Sequence, residues 1–105
     1  MADHKKDELV RFLEERAFKP VLNAKVQGRS KADIKKLEHV QKATRAEIER
    51  FRNYGSAQEV LTNFRRDLSS QPAKRIHAEL RSLGLPTIDD AREEFERRAQ
   101  ALDLG

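Results

Sequence analysis

Residues 30–55 read SKADIKKLEHVQKATRAEIERFRNYG, and their spacing decides the fold. Ile34, Leu37, Val40, Thr44, Ile48 and Phe51 recur every three or four residues. That interval gathers them on one face of an α-helix and is incompatible with the two-residue alternation of a strand. Ser30 stands where its side chain can accept the free N–H three residues on. Asp33 sits in the first turn, where the helix dipole favours negative charge. Tyr54-Gly55 ends the run, and Gly55 is expected in the left-handed conformation. One long helix over roughly 31–53 follows, long enough to protrude from its neighbours or to pair with a second copy.

The flanking segments repeat this logic. Upstream, Leu9, Phe12, Leu13 and Arg16 share one side of a segment from Lys5 to Ala17, with Val10 and Ala17 beside them. Pro20 lacks an N–H and crowds the preceding turn, so it is expected to end or kink this helix. Pro20 to Ala24 can open a short new turn, and Gly28 marks the loop beyond. Downstream, Ser56 and Glu59 form a capping box ahead of Val60, Leu61, Phe64 and Leu68. Ser69 to Pro72 breaks that face, Ser70 caps the next helix, and Ala73, Ile76, Leu80 and Leu83 form its apolar side up to Gly84 and Pro86. Thr87 to Asp90 caps a last helix with the stripe Ile88, Ala91, Phe95, Ala99 and Leu102. Start, period and stop agree in every segment, and the loops are short. The expected fold is all-α: a compact bundle of about five helices, one of them long (roughly 31–53), in a single helical domain over 1–105.

Composition narrows the function classes. Leu, Ile, Val and Phe make up about a quarter of the chain, above the roughly 20% typical of disordered sequences. With no cysteine, disulfides, thiolate metal sites and a cysteine nucleophile are excluded, and a reducing, cytoplasmic location is expected. The polar start, Met1 to Lys6, does not read as a signal peptide, and no run suits a membrane span, so no membrane partner is expected. A pI of about 9.6 points toward nucleic acid. The charge is spread, however: 1–29 carries +2, 31–53 carries +3, 54–84 carries +2 and 85–105 carries −3. That pattern equally suits an acidic last helix packed on a basic body.

The polar residues suggest little chemistry. His4, His39 and His77 lack the i, i+4 spacing of a helical metal site and are expected to be solvated or, for His77, edging into the core. Glu14-Glu15 and Glu93-Glu94 are adjacent, about 100° apart around a helix, and cannot share a proton. Surface pairing is their expected role, as with Glu94 and Arg98 or Glu93 and Arg97. There is no phosphate loop and no nucleophile elbow. No enzyme, cofactor or metal site is expected.

Two surfaces stand out. Lys74 and Arg75 lie in the first turn of a helix, an end that is already partly positive. They are expected either to pair with Asp67 or the acidic last helix, or to join Ser70 in contacting an anion such as a phosphate. A helix-turn-helix over the same stretch fails, because Arg65, Arg66 and Ser69 would fall on its buried positions. Phe18, Val21, Leu22 and Val26 follow poor periodicity around Pro20 and are expected either to lid the bundle or to form an exposed partner surface. The leading expectation is a non-enzymatic helical interaction module that binds another protein or itself. The alternative is a weak nucleic-acid binder using the basic body of the bundle.

Overall fold

In the computed structural model, which describes residues 4–104, the chain is an all-α bundle of five helical rods. The first rod is unbroken from α1 (His4–Leu13) through a π-helical turn (Glu14–Phe18) to α2 (Lys19–Leu22). The others are α3 (Lys31–Arg52), α4 (Ala57–Leu68), α5 (Gln71–Ser82) and α6 (Arg92–Ala101), the last entered through a 3-10 turn at Asp89–Ala91. The long helix neither protrudes alone nor stands apart: it packs on the first rod and on α5.

The helix starts follow the local chemistry. Ser30, Ser56 and Ser70 each accept the backbone N–H three residues on, at 3.2 Å. Glu59 reaches back to the Gly55 N–H at 2.8 Å, one residue before the Ser56 cap and not to the N–H of Ser56 itself as in a capping box. Thr87 and Asp90 exchange bonds: the Thr87 N–H donates to Asp90 Oδ2 at 2.9 Å and the Asp90 N–H to Thr87 Oγ1 at 3.3 Å. Gly84 ends α5 with φ +74°, so the Leu85 N–H can reach the Leu80 carbonyl at 2.9 Å. Gly55, by contrast, is not in the left-handed region. Asn53, still right-handed at φ −90°, closes α3 instead, bonding back to the Glu49 and Arg50 carbonyls.

Pro20 does not end its helix. The Lys19 N–H bonds to the Glu14 carbonyl five residues back, the wide turn of a π-helix. Widening the turn before a proline moves the preceding carbonyls off its ring, and the missing N–H costs little there. The rod therefore continues to Leu22, and Gln41 of α3 donates to the Val21 carbonyl at its end, at 3.1 Å.

This continuity lets one rod serve two apolar clusters. The larger gathers Leu9, Phe12, Leu13, Phe18, Phe51, Phe64 and Phe95, among others. The smaller gathers Val21, Leu37, Val40, Leu80 and Leu83. Phe95 lies centrally in the first, its ring centroid 4.0 Å from Phe64 and 6.3 Å from Phe12. The acidic last helix does pack on basic neighbours: Glu94 meets Arg16 at 3.2 Å and Glu96 meets Arg65 at 2.6 Å.

Phe95→Ala is expected to cost about 3–5 kcal/mol in urea unfolding, through lost burial and the cavity left behind. Val26→Ala, at a side chain 50% exposed, is expected to change stability by less than about 0.5 kcal/mol. Equal effects would mean that the assigned core is wrong.

Candidate functional site: a cleft at the seam of two apolar clusters

Where the two clusters meet, the bundle leaves a cleft of about 340 Å³. Its walls come from four elements and one loop. The first rod supplies Ala17, Phe18 and Val21. From α3 come Ala43, Thr44, Glu47 and Arg50, and α4 adds Asp67. The start and inner face of α5 provide Ala73, Ile76, His77 and Leu80, and the loop before α6 gives Pro86, Thr87 and Ile88. Ala17, Ala43 and Ala73 stand on three different elements around one space. Protein interiors are otherwise close-packed, so small side chains facing one another leave such a gap.

The polar side of the cleft is an ion network. Arg50 donates through Nη2 to both Glu47 Oε2 and Asp67 Oδ2, and through Nη1 to the Tyr54 hydroxyl at 2.6 Å. Its guanidinium carbon also lies 5.0 Å from the Phe51 ring centroid and 5.8 Å from that of Tyr54. Burial alone would disfavour the Arg50 charge, but the two carboxylates outweigh it and keep the group firmly protonated. Glu47 moves the other way. Desolvation lifts its carboxyl above the usual range despite the Arg50 bond, and the Asp67 charge adds to the rise. Thr44 and Thr87 are buried in the walls, the Thr87 hydroxyl within 3.3 Å of Asp90 Oδ2.

His77 edges into the core as expected, with 7% of its surface exposed. Burial holds its imidazole below the ordinary histidine value, and the Arg81 charge adds to this.

The candidate residues taken from the sequence are redistributed. Phe18 and Val21 are buried at 5% and 1% exposure, Leu22 is partly covered, and Val26 is open. They are therefore not a continuous exposed patch. The rod that runs on past Pro20 turns Phe18 and Val21 inward, where they become cleft walls. Ser70, Lys74 and Arg75 do not act as a group. The Ser70 hydroxyl accepts from Ala73 N–H and donates to the Asp67 carbonyl at 3.0 Å, so it serves the helix cap. Lys74 and Arg75 are exposed and outside the cleft lining. The acid expected to pair with them, Asp67, is taken by Arg50. Glu14 was expected on the surface. It is buried at 7% exposure and held by Arg52 through bonds of 2.6 and 3.1 Å. The Glu94–Arg98 pair forms at 3.5 Å.

Glu47, Arg50 and Asp67 are the site residues that the sequence reading missed. Glu47 and Arg50 carry a local signal, three residues apart on one helix, but Asp67 reaches them only through the fold.

The molecule is thus defined as an all-α bundle with an amphipathic cleft lined on its polar side by an arginine between two carboxylates. No family model matches the chain, and no curated protein or solved structure is significantly similar to it.

The His77 environment fixes a pH dependence. The unfolded chain takes up this proton near pH 6.5, the folded chain only at lower pH. Between those values the unfolded state holds more protons, so stability falls as pH falls. The raised Glu47 acts in the opposite sense at pH above its unfolded value, so the His77 part is read by difference. A melting temperature that declines from neutrality toward pH 5 is expected, with the decline smaller in His77→Leu. An identical pH profile for the two proteins would contradict this.

Proposed function

We propose that this protein is a non-catalytic helical interaction module whose cleft receives an apolar side-chain group from a partner protein. The observation that carries the reading is the cleft itself: about 340 Å³ of space walled by Phe18, Val21, Ile76, Leu80 and Ile88. Pockets of a few hundred Å³ with mostly apolar walls and a few polar groups are the usual shape of a binding site. One or two anchoring side chains seated in such a groove carry much of the energy of helix-in-groove recognition.

The polar groups support binding over catalysis. Arg50 is committed to Glu47, Asp67 and Tyr54, Ser70 to its helix cap, and Thr87 to Asp90. These bonds shape and rigidify the walls.

The alternative, a surface for nucleic acid, draws on Lys31, Lys35, Lys42 and Arg45, which are exposed along one face of α3. The ion pairs of Arg16, Arg50, Arg52, Arg65, Arg81, Arg92 and Arg98 speak against it, because they turn much of the basic charge inward on the protein's own acids.

The test places a photo-crosslinking phenylalanine analogue at Pro72, an exposed residue on the cleft rim, in cells that make the protein. A defined protein adduct is expected from the otherwise native chain. Filling the space with Ala43→Trp, in a variant whose circular dichroism and melt stay native, is expected to abolish it. No adduct, or the same adduct with the cleft filled, would overturn the proposal.

A further inference from the structure

The cleft's charges are unbalanced. One guanidinium stands between two carboxylates, and a single nitrogen, Arg50 Nη2, serves both. A second nitrogen, Nη1, is used by Tyr54. The Asp67 side chain is 18% exposed, whereas Glu47 retains 38%. Glu47 is therefore the carboxylate with surface left to offer.

The remaining groups around the cleft do not correct the imbalance. His77, facing it from α5, is held neutral by burial. At the loop end, Arg81 is paired with Asp89 at 3.0 Å, and Asp90 caps Thr87. Lys74 and Arg75 follow Ala73 but do not line the space. The lining groups sum to one net negative charge.

Resting on the reading of the cleft as an apolar binding site, we propose that its occupant is a basic one: an apolar group with a Lys or Arg side chain beside it, whose cation meets Glu47 and Asp67 on the polar side of the cleft. A neutral apolar group closing the mouth would strip water from a net negative cluster, and desolvating an uncompensated charge is unfavourable. An anionic occupant adds repulsion. A cation gives two positive and two negative charges, and the covering that desolvates them then strengthens their attraction. In the free protein burial already pushes Glu47 toward its neutral form in spite of Arg50, with the Asp67 charge a smaller contribution.

Three probes with one apolar body separate the terms: 4-phenylbutylamine, 4-phenylbutanol and 4-phenylbutyrate, titrated into the labelled full chain near neutral pH and followed by amide shifts. The expected result is binding that moves the Thr44, Glu47 and His77 amides, with the amine about fivefold tighter than the alcohol and the carboxylate weakest. About 0.5 M sodium chloride is expected to shrink the advantage of the amine. Glu47→Gln is expected to bring the amine close to the alcohol. In the native chain, amine and alcohol binding equally at those amides would overturn the cation inference and leave the apolar cleft standing. So would an advantage that salt and Glu47→Gln both leave unchanged. If no probe moves those amides, the cleft reading falls, and the inference with it.

Discussion

The missing amide hydrogen of Pro20 is the constraint from which the architecture follows. A regular helix would press the proline ring against the carbonyl four residues back, and the usual outcome is a break. Here the turn at Glu14–Phe18 widens, the Lys19 N–H bonds to the Glu14 carbonyl, and the rod runs on to Leu22. That extra turn carries Val21 out of the larger apolar cluster and into the smaller one. A single rod thereby anchors both clusters, and the cleft is the seam they leave between them. Wide turns of this kind are frequent at functional sites because they re-aim side chains without ending the helix. In this molecule the re-aimed side chains are Ala17 and Phe18, both in the cleft wall.

The second determinant is electrostatic. Arg50 ties α3 to α4 through Asp67 and is stacked near Phe51 and Tyr54, so the charged end of its side chain is fixed by aromatic faces as well as by acids. Partly buried ion networks add little net stability, because desolvation offsets most of the attraction. Their more general effect is to hold groups in one geometry. Arg50 holds two carboxylates together at the edge of an apolar space, which makes the cleft amphipathic. The Arg52–Glu14 pair does similar work at the other side of the π turn, joining the widened part of the first rod to the end of α3.

What the sequence made legible was whatever is decided within a few residues. The caps at Ser30, Ser56, Ser70 and Thr87 depend on side chains reaching three positions along, and each is present. The helical faces with Val40, Phe51, Phe64 and Phe95 were readable from their spacing, and all four are fully buried. Long-range pairing was not readable. Glu14 is buried because Arg52, 38 residues away, reaches it, and Arg50 finds Asp67 across 17 residues. The cleft was invisible for the same reason: Ala43 and Ala73 are ordinary helix residues until the fold sets them around the same space. The short new turn expected from Pro20 is present as α2, with Pro20 in its first turn, but the expected break before it is replaced by the π turn, which a core on both sides of the proline selects.

The most direct measurement of this account is a methyl nuclear Overhauser spectrum of the labelled protein, read with its backbone chemical shifts. Helical shifts unbroken from α1 through Leu22 are predicted, with cross-peaks from the Val21 methyls to Leu37 or Leu80 and from Leu13 to the ring of Phe64 or Phe95. Coil-like shifts beyond Ala17, with Val21 in contact with neither cluster, would contradict it.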